Sequence, residues 1–114
     1  MSELDVQGGV IEQGTAEERA YAVNFANYGM TAPTAATVTV YDRTGLAEDD
    51  PRLGTNVTST VMPTNTPSIA TTVVTCSPLL LLTAGRTYRL VVKATEGSNK
   101  ETAHVTIRCT RADG

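Results

Sequence analysis

Apolar and polar positions alternate along three stretches of this chain with the two-residue period of a half-buried strand. In residues 35–43, Ala36, Val38 and Val40 alternate with Thr37, Thr39 and Tyr41. In 88–95, Leu90, Val92 and Ala94 share a face with Tyr88, and in 102–110 Ala103, Val105, Ile107 and Cys109 line one side. The sequence Glu96-Gly97-Ser98-Asn99 between the last two predicts a hairpin turn. Weaker patterns predict strands over 4–12, over 19–27 with Tyr21, Val23 and Phe25 on one face, over 57–62 and over 69–76. No long segment carries the helical period. Threonine is the commonest residue and valine is also frequent, and a branched β-carbon fits a pleated sheet. About seven short strands with turn residues between them predict an all-β chain. The expected form is a two-sheet sandwich of antiparallel strands, in one domain spanning 1–114.

Composition narrows the picture without naming a reaction. At 114 residues the chain buries on the order of two thirds of its unfolded surface, enough to fold without metals or staples. With no Trp and only 4% aromatics, the core has to be aliphatic. A net charge of -3 and a pI near 5.0 argue against a nucleic-acid partner, because such domains carry a net basic field. No apolar run approaches the roughly 20 residues that span a bilayer, and residues 1–14 have neither a basic start nor an apolar core, so no membrane partner is expected. These features predict a protein cytoplasmic in the producing cell. Cys76 and Cys109 are then expected to be reduced core thiols, with a disulfide between them as the weaker alternative. Asn56-Val57-Thr58 matches the glycosylation sequon and is read as chance in a threonine-rich chain.

The stretch "LLLLTAGRTYRLVVKA", residues 79–94, carries the most specific signal. In Leu82-x-x-Gly85-x-x-Tyr88, followed by Leu90, Val92 and Ala94, the spacing resembles the corner of fibronectin type III and related immunoglobulin-like domains. In those domains a tyrosine ring packs inside while its hydroxyl bonds to backbone just upstream. The resemblance implies that role for Tyr88. It departs from the fibronectin pattern in Ala84, where a proline is usual, in lacking the early tryptophan, and in the positions of Cys76 and Cys109. The same residues also fit a buried strand end followed by an ordinary core tyrosine. The style of the whole chain, with "TVTVYDRTG" and "LTAGRTYRLVV", is similar to small immunoglobulin-like proteins encoded among bacteriophage and prophage structural genes.

Candidate chemistry is sparse. The one histidine, His104, falls on the polar side of its strand with Thr106 and Arg108. Catalysis by histidine needs a nucleophile and an orienting partner, and zinc needs three or four ligands. Neither set is available, so no catalytic residue, metal or cofactor is expected. Glu48, Asp49 and Asp50 offer loop oxygens of the kind calcium takes, but without the ligand spacing of a calcium loop they read as a solvated turn. Gly8-Gly9, Gly45 and Gly54 lack the strand-to-helix context of a phosphate cradle.

Surfaces carry what remains. If the strands over 35–43, 88–95 and 102–110 lie side by side, their polar positions form one face with Thr37, Thr39, Tyr41 and Arg43, then Arg89, Val91 and Lys93, then His104, Thr106 and Arg108. That face is basic. Tyr41, Arg43, Arg89, Val91, Lys93 and Arg108 are the candidate binding residues, with Tyr41 and Val91 as anchors at the centre of a charged patch. Residues 1–18 by contrast carry Glu3, Asp5, Glu12, Glu17 and Glu18 and no base. The expectation is a non-enzymatic interaction or structural module docking on a protein partner, such as a capsid or tail lattice, or on copies of itself as a homo-oligomer. The resemblance implies an accessory component of a phage-like particle, associated with the virion. The alternative is a loop-based module for carbohydrate or calcium, built on "NYGMTAPTA", "TGLAEDDPRLG" and "MPTNTPS".

Overall fold

In a computed structural model, which describes residues 10–15, 17–46, 52 and 54–110, strand is the dominant regular structure and the described helical segments are two single turns. The strands are β1 (Val10–Gly14), β2 (Ala22–Asn24), β3 (Ala35–Asp42), β4 (Thr55–Asn56), β5 (Ser68–Ala70), β6 (Val73–Thr75), β7 (Thr87–Glu96) and β8 (Asn99–Thr110). They form two sheets, one ordered β1-β8-β7-β3-β4 and the other β2-β6-β5. The chain passes between the sheets after β1, β2, β4 and β6, so the core is what the two inner faces trap. Pairing is antiparallel except where β1 runs parallel to β8.

The alternation of the three strong stretches is expressed over most of their length. Val38, Val40, Leu90, Val92, Ala94, Ala103, Val105, Ile107 and Cys109 are all buried. Register aligns them in rows, Val40 opposite Leu90 and Leu90 opposite Val105. From the other sheet Val23 and Val74, paired with each other, face them. Tyr21 and Phe25 complete the inward set expected for 19–27, but the strand there is only three residues long. Asn24 ends it: its Oδ1 accepts the Ala26 N–H at 3.0 Å, capping a 3-10 turn at Phe25–Tyr28.

Two expected strands take other forms. The segment 57–62 is not a strand but a single helical turn, α1 (Thr58–Val61), because Asn56 Oδ1 accepts both the N–H and the hydroxyl of Thr58, at 3.0 and 2.7 Å. Its buried residues, Val61 and Met62, are adjacent rather than alternating. The segment 69–76 is a hairpin: Thr71, at φ 57, turns the chain between β5 and β6. Side-chain and backbone bonds hold that costly conformation, since the Thr72 hydroxyl donates to Asn24 Oδ1 at 2.8 Å and the Thr72 carbonyl accepts the Phe25 N–H at 2.8 Å. Of the expected strand over 4–12, residues 4–9 lie outside the described residues; the strand found runs from Val10 to Gly14.

Leucines 79 and 82 are buried where the chain passes from β6 to β7, whereas Leu81 is exposed at φ 58. Tyr88 is buried and its hydroxyl accepts the Thr83 N–H at 2.9 Å, five residues upstream. The upstream backbone bond expected of this tyrosine is therefore present. Tyr88→Phe should lower the unfolding free energy by about 1 kcal/mol, read by urea denaturation, and an unchanged midpoint would mean that the bond holds nothing at this corner.

Candidate interaction face

β8, β7 and β3 are neighbours, so the polar positions of the three strong stretches do share one outer face. Register sorts them into rows. Tyr41, Arg89 and Thr106 form one, Thr39, Val91 and His104 the next, and Thr37, Lys93 and Thr102 a third. Arg108 lies opposite Thr87 beyond the first row. Because β7 and β8 are ten and twelve residues long and paired throughout, these groups sit on a rigid backbone rather than on loops.

Exposure divides the candidate residues. Lys93, His104 and Arg108 are exposed, and Tyr41, Arg89 and Val91 are half-buried. Arg43 departs from expectation: it follows the outward positions of β3 but is only 5% exposed. Its Nη1 donates to the Arg52 carbonyl, and Gly54 passes so near that a Cβ there would lie 3.2 Å from Arg43 Cγ and 2.4 Å from the Asp42 carbonyl oxygen. With Gly54 at φ +97, the chain returning into β4 closes over this arginine. Arg43 therefore contributes charge beneath the face rather than a group at its surface.

Partial burial disfavours the charged imidazole of His104, and the nearby guanidinium groups of Arg89 and then Arg43 push its pKa further below the ordinary value. Within the described residues, part of the acidic N-terminal region has a base beside it. Glu12 stands opposite Arg108 in the β1–β8 register, and Glu17 Oε2 pairs with Arg19 Nη2 at 2.7 Å. Backbone bonding from Gly14, then Arg19, holds the Glu17 carboxyl below its usual range. Glu3 and Asp5 lie outside the described residues, as do Glu48, Asp49, Asp50 and Gly8-Gly9.

Cys76 and Cys109 are free and buried, and burial pushes the Cys76 thiol up to about 12, leaving no thiolate at neutral pH. Among the described residues no three His, Cys, Asp or Glu side chains converge as metal ligands, and no helix is long and apolar enough to cross a membrane. A cleft of about 540 Å³ lies beside the returning chain, lined by Asp42, Thr44, Leu46, Arg52, Gly54 and Thr55. The carboxylate in it is already engaged: Asp42 takes the Thr44 hydroxyl at 2.6 Å, the Thr44 N–H at 3.0 Å and Arg86 Nη1 at 2.8 Å.

A further surface property belongs to whole segments rather than to single residues. Residues 20–41 and 53–85 contain no charged side chain, and these segments build the whole three-stranded sheet. Its outward positions, Asn24, Ser68, Ala70, Val73 and Thr75, are small and neutral. Among the described residues the two faces of the sandwich thus differ in kind, one neutral and one bearing Arg89, Lys93, His104 and Arg108 with Glu12 beside them. Compared with known proteins, the chain matches no family model and no curated sequence.

Proposed function

We propose that the chain is a non-enzymatic immunoglobulin-like module that docks on a protein partner through the outer face of β3, β7 and β8, as an accessory part of a phage-like particle. The observation that carries this reading is the exposure of Lys93, His104 and Arg108 on one paired, rigid sheet face, backed by Arg89 and Arg43, opposite a sheet with no charge. The immunoglobulin-like assignment is supported by β2-β6-β5 packing against β8-β7-β3 and by the Tyr88 hydroxyl bond, both features of such domains. A mainly cationic face steers and orients a partner more than it adds affinity. Repetition of the partner in a lattice then turns weak contacts into avidity.

Density-gradient sedimentation of lysate from producing cells tests the reading. At low salt the chain should travel with particles far larger than its own 12.0 kDa, and the folded Lys93→Glu/Arg108→Glu variant should stay at the top. A wild-type chain that stays at the top at every salt level overturns the assembly role. Light scattering across concentration, at two salt levels, separates docking on another protein from self-association. The cleft lined by Asp42, Arg52 and Thr55 favours one second reading, a loop-based ligand module, and thermal stabilisation by calcium or a glycan would support that instead.

A further inference from the structure

Resting on that reading of the face, we infer that the exposed trio Lys93, His104 and Arg108 recognises an extended acidic segment of the partner, and that His104 takes up a proton when the segment docks. Geometry sets the class of ligand. His104 lies directly opposite Val91, so Arg89 and Lys93 are its diagonal neighbours on β7. Diagonal neighbours in a sheet stand about 7–8 Å apart, and an extended peptide repeats its side chains on one face about every 7 Å. A segment with carboxylates at alternate positions therefore brings one acid to Lys93, the next to His104 and, two repeats further along β8, another to Arg108.

The surroundings of His104 determine the proton's part. On its own strand it is flanked on this face by Thr102, Thr106 and, further along, Arg108. β7 presents Arg89, Val91 and Lys93, and β3 presents Thr39 and Tyr41 with Arg43 beneath. On β1, Glu12 stands opposite Arg108 and is the one carboxylate on this face among the described residues. Among the described residues the other charges near the imidazole are positive, and with partial burial they disfavour its charged form in the free protein. An arriving carboxylate reverses that balance and favours the imidazolium. The sign follows: the complex binds a proton that the free protein does not, so affinity rises as pH falls through the histidine range. Arginine and lysine stay charged throughout that range, and peptide glutamates with a pKa of about 4.3 remain mostly ionised at its lower end.

The chain has a single histidine, which makes the test direct. A labelled peptide of alternating glutamate and threonine is titrated with the full chain by fluorescence anisotropy at low salt, at pH 5.5 and pH 7.0, against a glutamine-threonine control. The wild type is expected to bind the acidic peptide roughly two- to fivefold more tightly at pH 5.5, the worth of one added surface ion pair, and to ignore the control. In His104→Gln the ratio of the two affinities should fall to about one. Equal affinities in the wild type, or an undiminished ratio in His104→Gln, overturn the proton coupling while leaving the docking face intact. Absence of peptide binding at either pH overturns the acidic-segment inference. If Lys93→Glu/Arg108→Glu also sediments like the wild type, the face itself is not the docking surface.

Discussion

Leu90→Ala is expected to lower the unfolding free energy by about 2–5 kcal/mol, the range for leucine deletions in packed cores. Leu90 has no exposed surface, and β7 lies at the centre of the five-stranded sheet, with Val40 on one side and Val105 on the other. Both of these neighbours are held in place by continuous pairing, so the cavity has little means of collapsing. Since domains of this size are stable by only about 5–15 kcal/mol, much of the reserve goes with one side chain. The measurement is urea denaturation with the slope compared as well as the midpoint, because a changed slope signals an altered denatured or native state rather than a plain loss of packing. A loss under about 1 kcal/mol would mean that the sheets do not close over this position, and the outer face built on the same strands would lose its rigid base.

The same strands show what a sequence of this kind discloses. β3, β7 and β8 were legible because each is long and has one buried and one open face, which writes a two-residue period into the chain. The corner at Tyr88 was legible because a buried hydroxyl with a backbone partner fixes the spacing around it. The hairpin of β5 and β6 was not, since Thr71 and Thr72 favour strands by propensity and only bonds to Asn24 and Phe25, distant in sequence, make a turn of them. The helical turn at Thr58–Val61 likewise depends on which groups Asn56 bonds. For the face, alternation correctly gave the sharing of one side by Tyr41, Arg89, Val91, Lys93 and Arg108. It missed the burial of Arg43, which depends on where Gly54 returns. The neutrality of the three-stranded sheet was readable all along, as two long segments without charge, but it is a property of regions rather than of any motif.

Gln13→Leu is expected to be the most damaging polar substitution, at about 2–4 kcal/mol, because it leaves more than one buried group unbonded at about 1–3 kcal/mol each. Gln13 has no exposed surface although β1 is an edge strand. Its Oε1 accepts the Tyr21 hydroxyl at 2.6 Å, and its Nε2 donates to the Leu79 carbonyl at 2.8 Å and to the Glu17 carbonyl at 3.1 Å. One amide thus ties the edge of the five-stranded sheet to the segments entering and leaving the other sheet. Tyr21 is committed to this bond: burial, partly opposed by Arg19, pushes its pKa to about 12 and keeps the hydroxyl a donor. Tyr21→Phe alone orphans Gln13 Oε1 and should cost about 1–3 kcal/mol. In the double variant Tyr21→Phe no longer leaves an acceptor unsatisfied, so the pair should cost clearly less than the sum of the single changes. Strict additivity in that cycle would mean that Gln13 and Tyr21 act separately, and that the parallel edge strand is held to the sandwich by its ladder with β8 alone.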